Sequence, residues 1–222
     1  MCAGLLALCP VVAHGSLAFS FASPGPGHQL SNVANGGGAG VGLLSYNTTQ
    51  AISLIVDGTS EAIGTTTFTN ARLEMTNLHL GSAQTVNGIT TAPVSGSFAF
   101  YDFTGNTRVN ILLATVPNGS YVRIGNTNAI LFSSSQGLVY TAGPRLQTIL
   151  GTAGPMTNPQ EAVFTLTDIL VNGGAPLTNG AGVFNSFNAN ASYSGNSALA
   201  PAPGSIALMG LAGLIFTKRR RA

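Results

Sequence analysis

The sequence predicts an all-β protein, built as a two-sheet β-sandwich of jelly-roll-like type. Short runs rich in Val, Ile, Phe, Thr and Tyr recur between clusters of Gly, Asn, Pro and Ser, which is the pattern of strands separated by turns. No long segment with a helical period of 3.6 residues precedes the C-terminal tail. Roughly ten to twelve strands at this regular spacing are typical of sandwiches.

The first strands are expected at residues 19–22, 41–46 and 51–57, the last of them ending at the turn signal Asp57-Gly58. Residues 65–75 alternate between apolar and polar side chains, and residues 78–80 resume the alternation in shifted phase. A β-bulge near Asn77 would explain this shift.

Residues 94–103 place aromatic side chains on both faces, with Phe98 and Phe100 on one of them, and this predicts a central strand covered on both sides. Residues 109–116 and 121–124 are separated by Pro117-Asn118-Gly119, a favourable turn sequence. We expect these two runs to form a hairpin.

The remaining strands and the connection between them follow the same pattern. We expect strands at residues 129–132, 138–141, 162–171 and 182–188, with a loop or a short helix at 145–150. Residues 189–200 contain only Tyr193 and Leu199 as large apolar side chains, and this composition predicts a flexible linker.

The start of the chain has the features of a secretory signal peptide over residues 1–18. An apolar run is followed by small residues that permit cleavage after Ala13 or after Ala18. No Lys or Arg precedes the run, which is typical of a leader whose beginning is missing. Both cysteines, Cys2 and Cys9, lie in this leader, so we expect a mature domain without disulfides.

The end of the chain combines a proline-rich entry, an apolar segment and a basic cluster. The entry is formed by Pro201, Ala202, Pro203 and Gly204. The apolar segment at residues 206–216 makes about 17 Å of helix, against a hydrocarbon core of roughly 30 Å. The basic stop that follows consists of Lys218, Arg219, Arg220 and Arg221. A short apolar segment stopped by basic residues predicts a sorting signal at 201–222, with the basic end in the cytoplasm.

This tail resembles the PEP-CTERM protein-sorting signal in the order and spacing of these features. In that family a Glu stands between the two prolines, whereas this chain has Ala202. The resemblance covers only the tail. It implies processing by an exosortase-type membrane protease and delivery to the cell surface or an exopolysaccharide matrix. A plain C-terminal membrane anchor that is not cleaved is the alternative.

The charge of the body excludes one class of partner. Four of the eight basic residues lie at 218–221, which leaves four Arg against six acids, a net charge of −2, and no Lys before the tail. No basic stripe is available to neutralise phosphates, and this argues against nucleic-acid binding. A surface of Ser, Thr, Asn, Gln and Gly suits contact with sugars.

Catalytic motifs are absent from the sequence: it contains no G-x-G-x-x-G, P-loop or G-x-S-x-G motif. His28 and His79 are interpreted as ordinary surface histidines. A glycosidase would need a pair among the dispersed body acids, of which Asp102 and Asp168 are the most firmly placed in strands. We therefore predict that the protein is not an enzyme.

The sequence predicts no cofactor and no metal site. Zinc would lack cysteine ligands. Calcium could be coordinated by the loop at residues 57–61 through Asp57 or Glu61, but no run of alternating acids is present.

Together these features predict an exported structural or adhesive protein of the cell surface or extracellular matrix, with a transient or permanent membrane anchor. A carbohydrate-binding, lectin-like module of the same fold is the alternative hypothesis, and a hydrolase is a distant third. Polysaccharide is the expected partner besides the protease and the membrane.

Overall fold

The computed structural model describes residues 15–24 and 27–200. These residues form twelve β-strands, one α-helix and four single-turn 3-10 helices. The strands are β1 (Gly15–Phe21), β2 (Leu30–Val33), β3 (Gly42–Tyr46), β4 (Ile52–Gly58), β5 (Gly64–Leu80), β6 (Gln84–Val86), β7 (Ile89–Asp102), β8 (Val109–Ile124), β9 (Thr127–Ser133), β10 (Val139–Ala142), β11 (Met156–Val171) and β12 (Phe187–Leu199). The helix α1 (Pro144–Leu150) lies between β10 and β11. The all-β class is confirmed.

Eight of the strands pair in a closed circuit, and every pairing is antiparallel. The order is β1, β4, β5, β7, β8, β9, β11 and β12, and β12 pairs again with β1. At the opposite end of the long strands, β2 and β3 bridge β12 to β5. Closure satisfies backbone groups that an open edge would leave unpaired.

The core lies inside this circuit and is rich in aromatic rings. Phe98 of β7 lies 5.2 Å from Phe164 of β11 between ring centroids, and Phe100 lies 4.9 Å from Tyr193 of β12. The predicted central position of the strand at residues 94–103 is confirmed, because β7 pairs with β5 on one side and with β8 on the other. The predicted cover of both faces is not: Ser95, Ser97 and Ala99, on the face away from Phe98 and Phe100, are only half-buried, and the strand ends at Asp102.

The bulge predicted near Asn77 is confirmed. The register between β5 and β7 shifts between Thr76 and His79, and Asn77 has a positive φ of 48°. Gly96 lies opposite with a φ of 144°, and a Cβ atom there would approach the Asn77 carbonyl oxygen to 2.2 Å. Only glycine fits this close backbone approach.

The helix suggested at residues 145–150 is also confirmed. Pro144 occupies its first turn, where the missing N–H has no partner to lose. Leu146 and Leu150 are both buried, since residues four apart lie on the same face of a helix.

The linker predicted at residues 189–200 is wrong. Those residues form most of β12, which pairs with β11 along its length and also with β1 and β2. Ala189, Ala191, Tyr193 and Ser197 are buried, and they follow the period of two expected for a strand. Small side chains are buried here because one face of β12 lies against the core, where Tyr193 contacts the rings of Phe98, Phe100 and Phe164. The absence of large apolar residues therefore does not indicate a linker.

The predicted hairpin at residues 109–124 is wrong as well. Residues 117–119 lie inside the continuous strand β8, which pairs with β7 on both sides of them. A register shift between Val94 and Gly96 accommodates the extra residues as a bulge. On its other side, β8 pairs with β10 in its first half and with β9 in its second half.

The predicted domain start at residue 19 also needs correction. Strand β1 begins at Gly15, and Leu17 is completely buried. A boundary after Ala18 would therefore cut through a core strand. Residues 1–14 and the C-terminal segment 201–222, with its expected apolar helix, lie outside the described residues.

Candidate functional site

A polar cleft lies where the β8–β9 connection meets the end of β11. Its volume is about 290 Å³, near the lower end of the roughly 300–1,000 Å³ range of ligand sites. The polar lining residues are Arg123, Asn126, Asn128 and Asp168, and the apolar ones are Ile169, Val171 and Leu177.

The β8–β9 turn positions Arg123 on one wall. Ile124 pairs with Thr127, so the loop has only two residues, and Gly125 at its first position has a φ of 58°. This is the place where tight hairpin turns favour glycine. The Arg123 Nε atom donates a hydrogen bond to the Gly125 carbonyl oxygen at 3.1 Å, which holds the side chain along the turn.

Asn128 is held from beneath by a buried tyrosine. The Tyr121 hydroxyl donates to Asn128 Oδ1 at 2.6 Å, and Asn128 Nδ2 donates to the Asn126 carbonyl oxygen at 3.0 Å. Burial raises the pKa of Tyr121 to about 12, so the hydroxyl remains a donor at neutral pH. The amide of Asn128 is therefore fixed in one orientation.

Asp168 lines the same cleft from a bulge of β11. The register with β12 shifts between Thr167 and Leu170, and Asp168 has a φ of 51°, a strained region for a residue with a side chain. Asn190 Nδ2 donates to Asp168 Oδ2 at 2.8 Å. Asp168 Oδ1 has no hydrogen-bond partner among the residues that the structure describes.

Asn190 is itself buried and fixed by a third segment. Its Oδ1 atom accepts a hydrogen bond from the His28 backbone N–H at 2.9 Å. The segment before β2, strand β11 and strand β12 together fix the orientation of the Asp168 carboxylate. Such support from positioned neighbours is common at binding sites.

Arg123 differs from the other arginines of the body. Arg108 forms an ion pair with Glu74 and lies 4.3 Å from the Tyr101 ring centroid. Arg145 forms an ion pair with Asp102 at 2.8 Å, and Arg72 lies over the Phe103 ring. Within residues 15–24 and 27–200, Arg123 has neither a carboxylate nor a ring partner. Its charge is available to a ligand.

The two acids named as a possible catalytic pair do not lie on adjoining strands. Asp102 ends β7 and Asp168 lies on β11, and β8 and β9 separate these strands in the pairing order. Asp102 is buried and accepts hydrogen bonds from Thr104 in addition to its ion pair with Arg145. The structure supplies Asp102 with structural partners.

The loop at residues 57–61 uses its acid to hold the turn. Asp57 Oδ1 accepts hydrogen bonds from the Thr59 backbone N–H at 3.0 Å and from the Thr65 hydroxyl at 3.2 Å. Among the described residues, no three His, Cys, Asp or Glu side chains gather as a metal site would require.

The two body histidines occupy different elements of the fold, His28 just before β2 and His79 on β5. His28 has a φ of 45° and uses its backbone N–H to bind Asn190. His79 is half-buried on β5, and its Nδ1 atom is buried without a hydrogen-bond partner in the described part of the chain.

Sequence reasoning missed four of the site residues, Arg123, Asn126, Asn128 and Asn190. The Gly125-Asn126 pair between two apolar runs was a turn signal, but nothing in it indicated that Asp168 lies opposite. Asn190 was missed because it fell in the predicted linker.

The predicted sorting motif and basic stop, residues 201–204 and 218–221, lie outside the described residues. No helix among residues 15–24 and 27–200 has the length and apolar character needed to cross a bilayer. No protein-family model, curated protein or solved structure matches the chain.

Proposed function

We propose that the protein is an exported, non-catalytic structural or adhesive component of the cell surface or extracellular matrix. Its C-terminal signal is processed by an exosortase-type membrane protease. The leader and the tail of the sequence support export and sorting. The observation that carries the proposal is the pairing of Gly15 with Leu199, which places both ends of the domain side by side.

Because of this pairing, the end of the domain that carries Gly15 and Leu199 adjoins the tail, and the opposite end points away from it. Leu199 also pairs with Met156, and the Ala200 backbone N–H donates to the Pro155 carbonyl oxygen at 2.9 Å. Asn190 precedes Leu199 by nine positions, about 30 Å of strand. A tail that holds the protein at a membrane or matrix therefore leaves the polar cleft at the far end.

The surface of the body supports contact with hydrated, neutral material. Few charges are present, and two of the four body arginines are already in ion pairs. Ser, Thr, Asn and Gln side chains provide donors and acceptors that match sugar hydroxyls. A surface of this kind suits a matrix of polysaccharide.

The finer fold that we propose is a jelly-roll-like sandwich, in which the closed circuit is flattened into two facing layers. The contacts of Phe98 with Phe164 and of Phe100 with Tyr193 join strands that are not paired neighbours. Ring contacts across the interior at these distances support two facing walls. The tail, residues 206–216, would add a short apolar helix outside this body.

Cell fractionation of the full chain and of a chain ending at Ala200 tests surface sorting. We expect the full chain to remain with the cell surface or matrix and the shortened chain to be released into the medium. A matched control replaces Lys218 and the three following arginines by Gln, which keeps the apolar segment but removes its stop. Identical partitioning of the full and shortened chains would contradict the sorting role.

A carbohydrate-binding, lectin-like activity is the second candidate function. The specific observation in its favour is the cleft that brings an acid, two amides and a guanidinium together against apolar side chains. Sugar sites combine polar groups for hydroxyls with an apolar surface for ring C–H groups.

A further inference from the structure

We propose that the cleft between Arg123 and Asp168 binds a carboxylated sugar unit of an acidic polysaccharide. This inference deepens the second candidate function above and rests on it. It assigns one part of the ligand to each wall of the cleft.

Arg123 is the group that selects an acidic ligand. Its Nε atom is held by the Gly125 carbonyl oxygen, and the two terminal nitrogens have no partner among the described residues. A guanidinium whose stem is fixed presents a planar pair of donors that matches a carboxylate. The other three body arginines contact carboxylates or aromatic rings of the protein, so their charges stabilise the folded domain.

Asp168 and the neighbouring amides select hydroxyl groups. Asp168 Oδ2 is already engaged by Asn190, which leaves Oδ1 as an acceptor for a ligand hydroxyl. The amide of the exposed Asn126 supplies a donor and an acceptor beside it. Ile169, Val171 and Leu177 offer an apolar wall to the C–H face of a sugar ring.

The opposite charges of Arg123 and Asp168 disfavour simple anions as the ligand. Arg123 and Asp168 line the same cleft, yet they form no ion pair in the described part of the chain. Inorganic phosphate bound by Arg123 is a compact anion whose remaining charge is repelled by Asp168, and it has no C–H face for the apolar side chains of Ile169, Val171 and Leu177. A sugar acid carries its carboxylate at one side and its hydroxyls at the other, so it can satisfy both walls.

The backbone and the side chain of Asp168 are both held in place. Asp168 has a positive φ of 51° within a bulge of β11, and it lines the cleft. The buried Asn190 holds the carboxylate in place. The cleft is therefore positioned before any ligand arrives, which lowers the cost of binding.

The test uses the full chain purified in detergent and calorimetric titration with trigalacturonate. The carboxyl-reduced trimer and inorganic phosphate serve as comparison ligands. We expect trigalacturonate to bind, the reduced trimer to bind at least about tenfold more weakly, and phosphate not to compete. Binding of trigalacturonate should weaken as salt is raised.

Three variants locate the binding. Arg123→Gln should raise the Kd for trigalacturonate at least about tenfold and remove the preference over the reduced trimer. Asp168→Asn should weaken both trimers. Arg72→Gln is the matched control, because it removes the same charge from a site outside the cleft, and it should leave Kd unchanged. Circular dichroism and unfolding midpoints verify that each variant is folded.

The contrary outcomes are distinct. Equal binding of the two trimers, or equal effects of Arg123→Gln and Arg72→Gln, would overturn the assignment of the carboxylate to Arg123 but leave a neutral lectin possible. If neither trimer binds, the inference and the lectin-like function are both overturned. Surface sorting is decided separately by the fractionation experiment.

Discussion

Asp102 illustrates how the few charged residues of the body are used. Its side chain is 7% exposed and forms an ion pair with Arg145, which lies in helix α1. The Thr104 backbone N–H and hydroxyl donate to its other oxygen at 3.0 and 2.7 Å. The carboxylate therefore connects the end of β7 to α1.

The stability contributed by Asp102 should depend on pH. Burial opposes its ionisation, but the Thr104 hydrogen bonds and the ion pair with Arg145 outweigh burial and hold its pKa below the usual value. A lowered pKa in the folded state means that this stability is present above about pH 4 and is lost as pH falls through the folded pKa. Asp102→Asn should cost about 1–3 kcal/mol at pH 7 and less at pH 3.

Urea unfolding of both proteins at the two pH values provides the measurement. Glu61→Gln is the control, because Glu61 is exposed and has no ion pair among the described residues. A loss for Asp102→Asn that is the same at pH 3 and pH 7 would contradict the stabilising role of the charge.

Strand β10 obtains a backbone hydrogen-bond partner from a side chain of a neighbouring strand. It pairs with β8 on one side only, and towards β11 its Tyr140 backbone N–H donates to Gln160 Oε1 at 2.8 Å. Gln160 is 3% exposed, and its Nε2 atom donates to the Ser197 hydroxyl at 3.2 Å. One buried amide thus connects β10 to the paired strands β11 and β12, where β10 itself pairs only with β8 among the described strands.

Replacing Gln160 by Leu should destabilise the protein by about 1–3 kcal/mol, because the buried Tyr140 N–H loses its acceptor. Gln84→Leu on the exposed strand β6 is the matched control and should change the free energy of unfolding by less than about 0.5 kcal/mol. Urea unfolding measures both, and hydrogen exchange should show reduced protection at Tyr140. Equal effects of the two substitutions would show that Gln160 does not join the strands.

At the scale of the whole molecule, β1 and the end of β12 close the circuit. Leu17 is 0% exposed and Leu199 is 2% exposed, and their strands pair from Gly15 to Phe21. Burial of each leucine is worth about 1.5–3 kcal/mol. The domain thus extends from residue 15 to residue 200, and cleavage of the proposed leader after Ala13 would preserve it.

A chain of residues 19–197 should therefore be less stable than a chain of residues 15–200 by at least about 3 kcal/mol. Urea unfolding compares the two, and the full chain in detergent is the control for the longer one. Mass spectrometry of the exported protein should find His14 at its N-terminus. An N-terminus at Phe19, or equal stability of the two chains, would contradict closure by β1.

The sequence by itself determined the all-β class, most strand positions and the bulge at Asn77, and it allowed either a loop or a short helix at residues 145–150. Each of these follows from neighbours along the chain, since the period-two alternation, turn residues and a shift of phase are local signals. The aromatic residues Phe98 and Phe100 identified a central strand for the same reason.

Only the tertiary structure decided that β12 is a core strand, that β8 continues through Pro117 and that Arg123 and Asp168 line one cleft. Ala189 and Ala191 are buried because β11 and β1 hold β12 in the wall of the circuit with one face towards the core, and the small size of their side chains does not reveal this. Residues 117–119 stay extended because β7 pairs on both sides of them. Which polar side chains meet depends on the register of strands distant in sequence, and no local pattern encodes that register.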